Sequence, residues 1–155
     1  MTAASERPPS PRTGTEPRHV AREAAVQMLY QWEVGRSSMA DVAQTFWLHD
    51  QPATASLAAD HRAFAQKLAT GVADTVGSLD PVIVEAAEHW RIERMNVMDR
   101  LILRLAVYEF LHEPATPSRV IINESLELAR TFSGDDSVRF INGILDAIRR
   151  RLERE

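Results

Sequence analysis

The sequence predicts an all-α protein of seven helices. Two observations carry this. Apolar residues recur three and four positions apart along most of the chain, the spacing of one buried helix face. No stretch alternates with period two between hairpin turns, so strands find no support. The length of 155 residues, with 45% hydrophobic and 26% charged side chains, suits one domain with a core of useful size.

Residues 1–17 hold Pro8, Pro9, Pro11 and Pro17 among Ser, Thr, Arg and Glu. Such a segment buries too little apolar surface to offset its ordering entropy and is expected to be a disordered tail ahead of a domain spanning 18–155. The first helix starts near Arg18 and ends before Gly35, with Val20, Ala24, Ala25, Met28, Leu29 and Trp32 facing inward. A short helix follows from about Met39 to His49, capped by Ser38. After a loop over Asp50–Ser56, a long helix is expected over Leu57–Gly77. Asp80-Pro81 reads as the N-cap and first position of a fourth helix ending near His89 and Trp90.

The fifth helix, about Val97–His112, carries Leu101, Ile102, Leu105, Ala106, Tyr108 and Phe110 over a wide sector, so it is expected at the centre of the fold. Pro114 and Pro117 close it. The sixth runs from about Ser118 to Phe132 and stops at Ser133-Gly134. The seventh opens at Asp135-Asp136, where acids suit the positive helix end, and continues into the Arg149–Arg151 run. Inside these helices, Asn123-Glu124 suggests a buried polar contact, and Gly143 suggests a close helix–helix approach.

Several classes of chemistry are excluded. The chain has no cysteine, which removes disulfides, thiol nucleophiles and sulfur-ligated metals and fits a reducing cytoplasm. His19, His49, His61, His89 and His112 sit in separate segments without a metal-ligand spacing. The six glycines form no phosphate-binding loop, and no serine lies in a nucleophile elbow. No apolar run is long enough to span a bilayer, and no signal-peptide core is present. Neither catalysis, a cofactor nor a metal is expected.

Charge is unevenly placed. Residues 1–22 hold four Arg against two Glu, as do residues 149–155, so each end is +2 around a body of −8. Nucleic-acid binding, where present, is then local. On a helical wheel starting at Arg18, Arg22 falls at about 40°, Val26 about 80°, His19 about 100° and Tyr30 about 120°, opposite the inferred core. Arg and aromatic side chains on one solvent face suit single-stranded RNA, although Glu23 and Glu33 share the sector. An ordinary solvated helix face is the alternative.

Three stretches carry a resemblance. They are Ala21–Tyr30 (AREAAVQMLY), Asp99–Glu109 (DRLILRLAVYE), and Ile122–Arg130 (INESLELAR) leading to Asp136–Asp146 (DSVRFINGILD). In order and spacing they resemble the NusB family of bacterial transcription antitermination factors, over roughly Arg18–Arg149. The resemblance implies a seven-helix fold of two packed bundles. It implies binding of boxA-type single-stranded RNA together with the ribosomal protein that doubles as NusE, within an RNA polymerase antitermination complex acting chiefly on ribosomal RNA operons. By position, the family's RNA surface falls on Arg18, His19, Arg22 and Tyr30 and on Asp136, Ser137, Arg139 and Phe140; the NusE-binding face includes Asp99. For Phe140, core packing remains an equal reading.

Where NusB sequences often carry a denser arginine run, this chain reads Arg18-His19-Val20. Fewer phosphate contacts mean weaker binding by the protein alone, so strong dependence on NusE is expected unless Arg7 and Arg12 compensate. A homodimer that buries the first helix stays open, with Val26 as its faint hint. Two other readings stand beside this one. One is a helical protein–protein adaptor without RNA binding. The other is a detached NusB-like domain of a ribosomal RNA cytosine methyltransferase, disfavoured because the sequence carries no cofactor-binding sheet, Gly-rich loop or catalytic cysteine.

Overall fold

The computed structural model describes residues 16–48, 57–88 and 90–154. The expected tail up to Thr15, the loop over 50–56, and His49 and His89 lie outside them. Among the described residues there are six α-helices, one 3₁₀ turn and no strand. The helices are α1 (Pro17–Gly35), α2 (Met39–Phe46), α3 (Ala59–Ala86), α4 (Val97–His112), α5 (Ser118–Phe132) and α6 (Asp135–Arg151), with the 3₁₀ turn at Ile92–Arg94.

The third and fourth expected helices are the two arms of α3, so the seven rods are present with one pair joined. The join differs from the expectation at Asp80-Pro81. It is a kink at Thr75, whose backbone leaves helical angles (φ −123°, ψ 20°). The Thr75 hydroxyl donates to the Gly71 carbonyl at 2.6 Å, a back-bond that bends helices. Pro81 lies inside the second arm, where its missing N–H removes a further ladder bond. Asp80 caps nothing; its carboxylate is taken by Arg104 of α4, through Nε at 2.8 Å and Nη2 at 2.9 Å.

The local signals at the other ends act much as expected. Ser38 caps α2 by accepting from the Asp41 N–H at 3.1 Å. Asn96 caps α4 by accepting from Met98 and Asp99 N–H. The turn between α5 and α6 depends on Gly134, at φ 150° in a region that side chains rarely adopt. At the end of α1 the left-handed residue is Arg36 rather than Gly35.

The helices form two groups that share α4. It packs against α1, α3, α5 and α6, while α2 closes over α1 and α3, and α6 also meets α3. All ten residues from Leu101 to Phe110 are buried, so the central position expected for this helix holds. Gly143 marks no close approach: it is exposed, and nothing would meet a Cβ there. The close approach is instead at Gly71, where a Cβ would overlap the ring of Tyr108. Gly71→Ala is therefore expected to destabilise the fold by about 1–3 kcal/mol despite alanine's better helix propensity. Denaturant unfolding checks this, and the loss shrinks in a Tyr108→Leu background.

Candidate nucleic-acid interface

The first four residues of the expected RNA surface divide sharply. Arg18 is exposed and lies over the Phe64 ring, 4.2 Å from its centroid. Tyr30 is 44% exposed. His19 and Arg22 are each only 2% exposed, so their placement on the solvent face is corrected. Val26 is also fully buried and offers no surface for self-association.

The physical reason is a set of acids on α4 and α5. Arg22 makes a two-pronged pair with Glu109, Nε to Oε2 and Nη2 to Oε1, both at 2.8 Å. Its Nη1 lies 3.7 Å from Glu124. His19 contacts Glu124 through Nδ1 at 2.6 Å and Glu23 through Nε2 at 3.3 Å. The polar contact expected at Asn123-Glu124 is thus made by Glu124. Burial pushes the His19 imidazolium down, but hydrogen bonds to Glu124 and Glu23, with their charges, outweigh it and raise the pKa from 6.5 to about 9.

Asp99, expected on a partner-binding face, is 6% exposed and already occupied. Its two carboxylate oxygens accept from the Ser133 and Ser137 hydroxyls, each at 3.0 Å. This latch fixes the α5–α6 turn against the first turn of α4. Ser137 therefore spends its hydroxyl proton inward, while Asp136 and Arg139 remain exposed and pair loosely at 3.3 Å.

Beside the latch lies a cleft of about 360 Å³ lined by Asp99, Asp136, Ser137 and Phe140, together with Trp90, Arg94, Met95 and Asn96. Phe140 is half-buried and meets Trp90 edge to face, ring centroids 5.1 Å apart at 71°. Trp90 is itself 55% exposed. The aromatic pair leaves π surface open to a ligand, and Arg94 supplies an exposed cation at the rim. Sequence reasoning named Asp136, Ser137 and Phe140 here but missed Trp90 and Arg94–Asn96, because the chain between α3 and α4 follows no helical period.

On the other side of the same turn, Tyr30 and Met98 line a second cleft of about 350 Å³ with Gln27, Gln31 and Phe132. Arg18 and Tyr30 stand twelve positions apart on α1, about 18 Å at the helical rise. The expected surface is thus three places, not one patch: the Arg18 end, the Tyr30 cleft and the Phe140 cleft. Among the described residues no group of three or more His, Asp or Glu could hold a metal, and no helix is long and apolar enough to cross a membrane.

Solved structures define the fold class first. NusB of T. maritima superposes with a TM-score of 0.77 at 30% identity, covering 88% of this chain and 92% of that one. A crystal structure of the antitermination factors NusB and NusE in complex with dsRNA shares the fold at a TM-score of 0.70 and 22% identity, over 87% and 97% of the chains. The transcription antitermination protein NusB of Koribacter versatilis (strain Ellin345) is 45% identical over 144 residues, 93% of this chain and 94% of the relative. That of Sorangium cellulosum (strain So ce56) is 39% identical over 137 residues, 88% and 94%. The NusB family model matches residues 19–150. This chain belongs to the NusB family.

Two outcomes follow from the buried charges. Arg22→Ala leaves Glu109 unpaired and is expected to cost about 3–5 kcal/mol in denaturant unfolding, whereas Arg22→Met with Glu109→Leu recovers most of the loss. His19, raised above its unfolded value of 6.5, contributes stability that is complete below pH 6.5 and is lost as pH rises through about 9. The shift corresponds to a contribution on the order of 3 kcal/mol. Thermal unfolding at about pH 6 and about pH 10 should show it, with a smaller difference for His19→Gln.

Proposed function

We propose that this chain is a transcription antitermination factor. It binds boxA-type single-stranded RNA together with NusE and helps RNA polymerase read through terminators, chiefly on ribosomal RNA operons. Membership of the NusB family supports the class of function. The observation that carries RNA as the ligand is the cleft where Trp90 and Phe140 meet beside exposed Arg94, with Arg139 exposed next to Phe140 in the chain. Open aromatic faces stack on unpaired bases, and cations at the rim meet phosphates.

Within this reading Arg18, Tyr30, Arg139 and Phe140 contact RNA, with Asp136 and Ser137 at the cleft wall. His19 and Arg22 act from beneath, holding α1 in place. Asp99 positions the α5–α6 turn, so a NusE-type partner at this end meets the exposed residues around it. An acidic body, with His19 and Arg22 tied up inside the fold, supports dependence on that partner for tight binding. The protein acts without catalysis or a cofactor, in the cytoplasm. Residues 18–155 form the binding domain, preceded by a basic tail over 1–17.

Fluorescence anisotropy of a labelled boxA-type RNA, with and without NusE and at two salt concentrations, tests the proposal. Binding should be salt-sensitive and tighten with NusE, and Tyr30→Ala and Phe140→Ala should each weaken it by about 1–3 kcal/mol. Flat anisotropy under every condition would favour a helical adaptor.

A further inference from the structure

We infer that Glu33 of α1 is a positioning residue for the Trp90–Phe140 cleft, acting through Arg100 to fix the Trp90–Met95 stretch that forms one wall. The inference rests on the RNA-binding reading above. It adds a residue that touches no ligand and yet sets the geometry of the cleft.

The wall needs such a support. Between α3 and α4 the chain carries a 3₁₀ turn over Ile92–Arg94 with no side-chain cap. Its backbone bonds are local: the Arg94 N–H donates to the Arg91 carbonyl at 2.9 Å and the Met95 N–H to the Ile92 carbonyl at 3.2 Å. Buried Met95 and half-buried Ile92 pack on the core, whereas exposed Trp90 and Arg94 line the cleft. Among the described residues, the side chain that hydrogen-bonds this backbone is Arg100, whose Nη1 lies 3.4 Å from the carbonyls of both Ile92 and Met95. Two contacts of that length hold a guanidinium weakly. What fixes it is Nη2, which donates to the Glu33 carboxylate at 2.9 Å. The Arg100 side chain is 12% exposed and that of Glu33 27%, so the pair escapes much of the screening that makes surface pairs weak.

Glu33 sits where this role can be told from a charge effect. It follows Tyr30 by three residues on α1 and shares its side of the helix. As a bare negative charge it would repel a polyanion, and neutralising it would tighten RNA binding. As the anchor of Arg100 it does the opposite: neutralising it frees the guanidinium, loosens the turn and spoils the cleft. The same carboxylate reaches Arg104 through Oε1 at 3.4 Å, but Arg104 is held independently by Asp80 at 2.8 and 2.9 Å. Among the described residues Arg100 has no second carboxylate, so the loss of Glu33 falls on the turn.

The test uses the full chain with Glu33→Gln, Arg100→Lys and, as a control, Asp80→Asn, which loosens Arg104 and leaves the Glu33–Arg100 pair in place. Lysine keeps the charge, but one ammonium cannot span a carboxylate and two carbonyls as the planar fork does. Circular dichroism melting checks that each variant folds. In NMR-detected hydrogen exchange, the Arg94 and Met95 amides should exchange about tenfold faster in Glu33→Gln and Arg100→Lys, relative to amides in the core of α4. Asp80→Asn should leave that ratio unchanged. Affinity for the labelled boxA-type RNA should fall about three- to tenfold in Glu33→Gln, against the electrostatic sign, and the loss should vanish in a Trp90→Ala background. Unchanged turn exchange in Glu33→Gln, an equal effect of Asp80→Asn, or tighter RNA binding by Glu33→Gln overturns the inference while leaving RNA binding intact. Faster turn exchange in a protein that binds no RNA in any form, even at low salt, overturns the RNA reading and keeps Glu33 as the support of this wall.

Discussion

Helix α4 lies out of water over ten consecutive residues, and two of those residues, Arg104 and Glu109, are charged. An unpaired charge there would cost several kcal/mol, so each must meet its opposite from another helix. Glu109 takes Arg22 of α1. Arg104 takes Asp80 of α3 and reaches Glu33 of α1 at 3.4 Å, where Arg100 joins at 2.9 Å. These partners set where α1 and α3 lie along α4 and how each is rotated. Apolar packing alone tolerates slippage among helices of similar character, whereas a two-pronged guanidinium–carboxylate pair fixes both distance and orientation.

That constraint governs what the surface has left for a ligand. Two of the cations at the start of α1 are consumed internally, and Arg149 and Arg150 pair with Asp146 on their own helix. Among the described residues, exposed Arg94 and Arg139 lie toward the Phe140 cleft, and exposed Arg18 stands apart at the start of α1. Recognition of a polyanion by such a surface leans on stacking and hydrogen bonding more than on counterion release. A partner protein that adds its own basic surface then has a physical reason to be required.

Most of the fold was legible because periodicity reports burial, and α4, α5 and α6 begin and end within a residue or so of where their apolar spacing and punctuation put them. The errors on α1 share one cause. The wheel for α1 assumed that Arg and His mark solvent, yet the stretch from His19 to Leu29 is covered on most of its circumference, and His19 and Arg22 are paired inside. A signal existed on the other side of the pair: Glu109 and Arg104 interrupt an otherwise apolar run and demand buried partners. Which cation answers which acid is a tertiary fact, set by residues 87 positions apart, and no local pattern carries it. Asp80-Pro81 misled for a related reason. It has the form of a helix start, but the Asp side chain had a stronger partner in Arg104 than any backbone N–H, and the bend moved to Thr75.

The first turn of α4 is where scaffold and interface become the same object. Asn96 caps it, Met98 walls the Tyr30 cleft, and Asp99 both walls the Phe140 cleft and ties down Ser133 and Ser137. Successive residues on a helix point about 100° apart, so two neighbouring positions serve two clefts facing different ways. A displacement of this turn would alter both clefts together, and the latch at Asp99 would carry the same displacement into the start of α6, where Phe140 resides. The turn is in turn held by Arg100, whose guanidinium reaches the carbonyls of Ile92 and Met95 and the carboxylate of Glu33. The buried ion pairs that position α4 therefore also set the spacing of the two aromatic clefts. Substitutions deep in the core then reach the recognition surface through geometry, without any residue of the core touching the ligand.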